Sequence, residues 1–343
     1  MPETDTIRIV TQKKSALREI GFDKTTLKQS GFLFSPFEEN KRFRKVLISP
    51  YIFCNENDLP KLNFSSNLKW IRKKETLKLK STNKTEFENL VRKVKKEIAG
   101  RQSKKIVVAG ILKKDKPENF NPVTFFKSLC NSYPHAFISL VFTPKYGLWV
   151  GATPEILLSV NKKNFKTYSL AGTKPNSKEN SKTSWGKKEM EEQKIVSDYI
   201  TKALSGITGV KPKLKGPETV VAGNLLHLRT TFSAKPVSNN LWQAVVKELH
   251  PTPAVAGLPK QKAMHFIAKH EKSPRGFYSG YLGPVNLDKQ INLYVNIRCM
   301  QILKNKLAVY VGCGVTSGSN PLGEWKEAKN KAQTLLQVLR KVS

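Results

Sequence analysis

Apolar positions fall at helical spacing in some stretches of this chain and alternate with polar ones, or run together briefly, in most of the rest. Over Thr85–Ala99 the residues Phe87, Leu90, Val91, Val94 and Ile98 share one side, which predicts an amphipathic helix. A tight link leads into Lys105-Ile106-Val107-Val108-Ala109, a strand opened by a lysine. Residues 147–172 predict a β-hairpin with a polar turn at Asn161–Asn164. Pairing Val160 with Phe165 and counting outward sets Glu155 opposite Leu170, close to Gly172. Ser184–Ala203 predicts a helix with Glu189, Glu192, Ile195, Val196, Tyr199 and Ala203 on one side. Strand-like Leu226–Thr230, helical Leu241–Glu248 and a Pro/Gly turn over 250–260 follow, the turn leading into another helix. A second hairpin runs from INLYVNIRCMQIL to LAVYVGCGV; pairing Leu303 with Leu307 sets Arg298 opposite Gly312. Its last strand loses side chains at Gly312 and Gly314, crosses a small-residue loop and enters a helix with Asn320 as N-cap and Pro321 first. In residues 1–84 only short apolar pieces such as Gly31–Phe34 and Val46–Ile48 stand out, and they predict strands of scaffold. With hairpins, separate helices and no βαβ repeat, the pattern predicts an α+β fold with large antiparallel sheets and flanking helices.

Length and charge add bounds. At 343 residues the chain can bury a large core, as one domain or two intimately packed halves. No apolar run approaches the ~20 residues of a membrane span, and the charged N-terminus has no signal-peptide core. The expectation is a soluble, cytoplasmic protein without a membrane partner. Cys54, Cys130, Cys299 and Cys313 lack zinc or C-x-x-C spacing, so they read as reduced thiols. Lysine and arginine total 60 against 26 acidic residues, a net +34. Taken alone that balance would suggest nucleic acid. The excess is mostly lysine dispersed along the whole chain, with no helix-turn-helix, zinc finger or aromatic-basic RNA signature, so no nucleic-acid partner is expected.

Candidate chemistry concentrates where the pattern is irregular. Open backbone at Gly312 and Gly314 ahead of a helix N-terminus favours an anion, and an arginine placed beside it would match a carboxylate. Glu324, Glu327 and Lys331 share the first turns of that helix, where the acids either bridge to a metal or form a dipole-favoured first turn with a solvated Glu327–Lys331 pair. Glu192 lies on an apolar stripe, which demands a metal, a hydrogen bond or a buried salt bridge. Lys105 reads first as a snorkelling strand residue, and His227, flanked by leucines, as a satisfied interior histidine.

Seven segments in order, GATPEILL (151–158), LAGTKP (170–175), KEMEEQKIV (188–196), HPTPAVAGLP (250–259), RGFYSGYLGPV (275–285), NIRCMQI (296–302) and GCGVTSGSNPLGEWKEAKNK (312–331), resemble the chorismate-utilising enzymes, and among them the isochorismate synthases. The resemblance implies the chorismate-binding fold, with 85–343 as catalytic region and 1–84 as an N-terminal scaffold portion. It implies chorismate as substrate and Mg2+ held by Glu192 and Glu327, with Glu324 supporting directly or through water. The enolpyruvyl carboxylate would sit against Arg298, Gly312 and Gly314, with Gly172, Tyr278 and Lys331 also in the substrate-binding set. Water is added at one ring carbon and the ring hydroxyl lost across the diene, with Lys105 as base and Glu155 as acid. A lysine base needs a lowered pKa and a carboxylic acid a raised one. Two departures stand out. Ala109-Gly110 replaces the family's Ser-Arg, and Gln193 stands where many relatives have histidine. Lys105 argues against an aminating anthranilate synthase, whereas salicylate synthase also keeps the lysine and is the alternative enzyme. A catalytically inactive, polyanion-binding relative is the alternative of another class, and the protein is expected to be a monomer or a dimer.

Overall fold

The computed structural model describes residues 8–10, 17–19, 29–50, 52–54, 79–161, 164–176, 184–222, 225–235, 241–287 and 289–342. Much of the 1–84 scaffold portion therefore lies outside the described residues. The described parts form an α+β architecture of antiparallel sheets with helices packed on them. A six-stranded sheet has the order Gly257–Leu258, Lys105–Asp115, Lys306–Val315, Cys299–Ile302, Gly147–Thr153, Phe137–Thr143. A nine-stranded sheet runs Lys213–Ala222, Leu225–Ala234, Phe165–Pro175, Ile156–Val160, Gln290–Val295, Tyr281–Leu287, Gly31–Ser35, Val46–Ile48, Leu17–Glu19. A small ladder joins Arg8–Val10 to Ile52–Cys54. The expected strands at 31–34 and 46–48 thus sit in the large sheet, the first beside Tyr281–Leu287 and the second beside the first.

Between the sheets lies an aromatic layer drawn from both, with Phe34, Phe43, Trp149, Phe277, Tyr278 and Tyr310 among its buried members. Phe34 and Phe277 stack at 3.9 Å between ring centroids. The other face of the six-stranded sheet, including Val108, Val309 and Val311, is covered by the helices Lys84–Ala99, Pro122–Ser132, Lys260–His270 and Pro321–Val342. The helices Lys187–Thr208 and Trp242–Leu249 pack with the nine-stranded sheet through Leu158, Phe165, Val196, Ile200, Val246 and Leu293.

Local chemistry explains the helix ends. Asn83 and Glu86 form a reciprocal capping box ahead of Lys84–Ala99. Asn320 accepts from the Gly323 N–H at 3.1 Å, as its N-cap position predicts. The helix expected at 184–203 spans Lys187–Thr208 and stops at Gly209, whose φ of 69° a residue with a Cβ rarely adopts. Its buried side centres on Gln193, Val196, Ile200 and Ala203, which leaves Glu192 at the edge of the stripe and not within it. The helix Pro122–Ser132 and the strand Phe137–Thr143 are additions to the expected elements.

Both hairpins need correction. In the first, Phe165 pairs with Val160 as expected. The chain from 147 to 160, however, does not lie in one sheet. Gly147–Thr153 belongs to the small sheet and Ile156–Val160 to the large one, with Pro154 and Glu155 crossing between them. Proline supplies no ladder N–H, so the strand breaks there and Glu155 is not opposite Leu170. In the second, Ile302 and not Leu303 pairs with Leu307, because Leu303 closes the turn by donating to the Lys306 carbonyl at 2.9 Å. A one-residue slip exchanges the faces of a strand. Here too the chain changes sheet, at 296–298, so Arg298 lies outside the ladder with φ of 51° and is not opposite Gly312.

Candidate functional site

Pairing of Lys105–Asp115 with Lys306–Val315 sets Val107 opposite Gly314 and Ala109 opposite Gly312. Odd positions of the first strand and even positions of the second therefore share the inner face of the sheet. Two glycines leave that face bare. A Cβ at Gly314 would collide with the Glu192 carboxylate and with Lys105, and one at Gly312 would stand 2.7 Å from the Tyr278 hydroxyl. The space they leave belongs to a cleft open to solvent. Glu155, Gly172, Glu192, Tyr278, Arg298, Gly312, Gly314 and Lys331 line it, so eight of the eleven candidate residues meet in one place.

Of the other three, Lys105 and Glu327 reach it through partners that line it, whereas Glu324 is tied to Lys188, which does not. Lys105 is fully buried, and its ammonium stands 2.9 Å from Glu192 Oε1 as an ion pair whose alignment falls short of a hydrogen bond. Burial pushes the Glu192 carboxyl up, but Lys105, with Lys331 and Lys188 behind it, more than offsets this and holds it below the usual carboxylate range. Glu327 accepts from Lys331 Nζ at 2.7 Å, and Lys331 also donates to the Gly312 carbonyl at 3.2 Å. Glu324 accepts from Lys188 Nζ at 2.6 Å through Oε1, while its buried Oε2 has no partner. Burial, reinforced by the charge of Glu327, raises the Glu324 pKa.

The two crossovers place the remaining pair of functional groups. Val295 N–H donates to the Glu155 carbonyl at 2.9 Å, and Ala152 N–H to the Arg298 carbonyl at 3.0 Å. Thr153 Oγ1 ties the same junction to the Val295 carbonyl at 2.6 Å. Each crossover thus presents its side chain in the layer between the sheets. Glu155 is buried, which pushes its pKa up to about 7 against the partial offset of Lys105, Lys331 and Arg298. Arg298 is also buried, and burial lowers its pKa to about 10. Its guanidinium reaches Thr334 Oγ1 at 3.3 Å and His227 Nε2 at 3.2 Å, and no carboxylate closes on it among the described residues.

His227 is buried with both ring nitrogens partnered, as expected, and it also lines the cavity. Its Nδ1 lies 2.9 Å from the Gly172 carbonyl, which can only accept, so Nδ1 carries the proton and Nε2 is left to accept from Arg298. Burial first, then Arg298 and Lys331, lower its pKa to about 3, so the ring is neutral at physiological pH. Lys188 is the other residue that sequence reasoning passed over. Its position four before Glu192 on one helix was the available signal.

The site's base strand is held from behind. Arg275 donates to the Val107 carbonyl at 2.8 Å and the Val255 carbonyl at 2.6 Å, and pairs with Glu271. Glu271 in turn accepts from the Ala109 N–H at 2.8 Å. The Ala109-Gly110 departure is thus accommodated by backbone contacts, and Gly110 sits against Thr82, which leaves no room for a side chain. Gln193 donates to Ser169 Oγ at 2.6 Å and Thr230 Oγ1 at 3.0 Å, joining helix to sheet below Glu192.

A cation would find oxygen donors here. Glu192, Glu324 and Glu327 are hard ligands of the type Mg2+ takes, and the orphaned Glu324 Oε2 is a buried acceptor in want of a partner. Among the described residues no three such side chains are gathered closely enough to form a finished cage, because each carboxylate is turned to a lysine. The donor chemistry fits the ion. No helix of the described residues is long and apolar enough to cross a membrane.

Known proteins resemble this chain in sequence and in fold. The family model described as "Chorismate binding enzyme" matches residues 51–340. Isochorismate synthase EntC of Escherichia coli K12 is 26% identical over 261 residues, covering 74% of this chain and 67% of that protein. Isochorismate synthase MenF of the same organism is 32% identical over 208 residues, 55% of this chain and 46% of that protein, so the match spans about half of its length. Among solved structures, the isochorismate synthase DhbC of Bacillus anthracis superposes with a TM-score of 0.75 at 24% identity, covering 90% of this chain and 84% of that one. Anthranilate synthase component I of Streptococcus pneumoniae reaches 0.70 at 18% identity over 93% of this chain and 82% of that one. At these identities the structures speak for the fold alone.

Proposed function

Because the chain belongs to the chorismate binding enzyme family, we propose that it converts chorismate to isochorismate with Mg2+ as cofactor. The observation that carries this reading is Arg298, a buried guanidinium with no carboxylate of its own among the described residues, facing a cavity floored by glycine. Leaving such a charge uncompensated is costly, and an anionic substrate group supplies the missing partner. Neutral His227 holds Arg298 without competing for that anion.

Isomerisation needs a proton removed from water on one side of the ring and delivered to the leaving hydroxyl on the other. In this reading Lys105, once neutral, takes the first proton as the water oxygen bonds to the ring carbon. The diene electrons shift, the ring C–O bond breaks, and Glu155 protonates the departing hydroxyl, so one water enters and one leaves. With its pKa at about 7, Glu155 holds a proton in a large fraction of molecules at neutral pH. Glu192 and Glu327, with Glu324, would hold Mg2+, which supplies positive charge for the ring carboxylate. Gly172, Gly312, Gly314, Tyr278 and Lys331 shape the walls.

We place this enzyme in the cytoplasm, as a monomer or dimer. Relatives bear names for menaquinone-specific and 2,3-dihydroxybenzoate-specific synthesis, and the proposed product suits either use. Incubation of the purified protein with chorismate and Mg2+, with and without chelator, followed by product separation, tests the reading. Isochorismate formed only with Mg2+ is expected. Salicylate plus pyruvate, or no turnover, would overturn it.

A further inference from the structure

We propose that Lys188 is a built-in counter-cation, its ammonium held on Glu324 in place of a divalent ion, so that metal binding is an exchange in which Lys188 is displaced. This rests on the reading of Glu192, Glu324 and Glu327 as metal ligands. Lys188 Nζ donates to Glu324 Oε1 at 2.6 Å. Burial works against its charge, yet Glu324, Glu327 and Glu192 together outweigh that burial and raise its pKa. The ammonium thus occupies one oxygen of a buried carboxylate whose other oxygen has no partner, and it lies one helical turn before Glu192. Lys105 and Lys331 are differently placed, each tied to one flanking acid and facing the cavity's glycine strand.

Lys188 can also leave. It is the second residue of its helix, its side chain is 27% exposed, and a long flexible stem lets the head group move to water while the helix stays put. Glu324 is only 1% exposed and has no such freedom. In the absence of metal the lysine gives the buried Glu324 carboxylate a counter-charge. In its presence the same lysine is a competitor, since any ion must offset the lost ion pair before it gains affinity.

Isothermal calorimetry with Mg2+ alone, on the full chain without substrate, reads this directly. Lys188→Met removes the charge and keeps the stem, and should bind Mg2+ about tenfold more tightly than wild type, the scale of one partly buried ion pair. Without metal its melting temperature should fall below wild type, and saturating Mg2+ should restore more of it than in wild type. Lys188→Arg keeps the charge and should show no gain in affinity, which separates loss of charge from loss of shape. Equal or weaker Mg2+ binding by a folded Lys188→Met would overturn the exchange while leaving the metal reading intact. If Lys188→Met does not fold, a wild-type affinity for Mg2+ in Lys188→Gln would overturn it equally. No Mg2+ binding by wild type or variants would overturn both the metal reading and the exchange.

Discussion

The Glu155 carbonyl accepts a hydrogen bond from the backbone N–H of Val295 at 2.9 Å, joining two segments 140 positions apart at the level where each leaves one sheet for the other. The acid and the arginine are consequently positioned by main chain, and their side chains can be changed without dismantling what aims them. Glu155→Gln should abolish turnover, because the amide has no proton to deliver. It should also stabilise the protein. A carboxyl raised from 4.5 to about 7 binds its proton more tightly in the folded state, so its contribution is full below pH 4.5 and lost as pH rises through 7. At pH 8 the penalty approaches ~3 kcal/mol, and the variant's melting temperature there should exceed that of wild type. The same titration makes wild-type kcat decline above pH 7, measurable in a pH–rate profile.

His227→Gln should raise KM for chorismate about tenfold while changing kcat less, since Arg298 loses a fixed acceptor and wanders. The histidine also leaves an acid signature. With a folded pKa of about 3 against an ordinary 6.5, its contribution is present above pH 6.5 and lost as pH falls toward 3. His250, likewise buried and lowered to about 3, adds to the same slope. Melting temperatures between pH 6.5 and 4 should fall less steeply in His227→Gln than in wild type, with the His250 share remaining.

Gly314→Ala places a methyl group against the Glu192 carboxylate and the Lys105 side chain. The expected cost is ~1–3 kcal/mol of overpacking, read by urea denaturation. Activity should fall by at least about a hundredfold even where the variant is folded, because a displacement near 1 Å at reacting groups costs on that order. Near wild-type activity would show that the glycine is not what opens the site.

Arg275→Met leaves Glu271 buried without its cation while removing two bonds to backbone carbonyls. Breaking a buried pair from one side costs ~3–5 kcal/mol, and urea unfolding should show a loss of that size. The double variant Arg275→Met, Glu271→Gln should recover part of it, since it removes the orphaned charge.

Sequence alone reached the site's membership further than its geometry. Period gave Thr85–Ala99 nearly to the residue, because an apolar stripe acts locally and the Asn83–Glu86 cap fixes its start. The Phe165–Val160 pairing was equally local, fixed by the turn between Asn161 and Asn164. What counting along a strand could not reveal is a change of sheet. Pro154 was visible as a poor strand residue, yet nothing within a few positions says that the strand resumes in the other sheet. Arg298 was misplaced for the same reason, compounded by a register one residue off the one expected. His227 and Lys188 escaped because their significance lies in partners 71 and 136 positions distant. Spacing along a helix could place Lys188 near Glu192, but not near Glu324.

The paired crossovers tie inheritance of the site to inheritance of the fold. A residue inserted or deleted in either one would exchange the faces of the strand beyond it and turn Glu155 or Arg298 out of the layer at the same stroke. Length variation that the exposed turns of this protein would absorb is therefore closed to these two short passages. Drift in the acid or the arginine can proceed only by substitution, one side chain at a time, on a main chain whose count stays fixed.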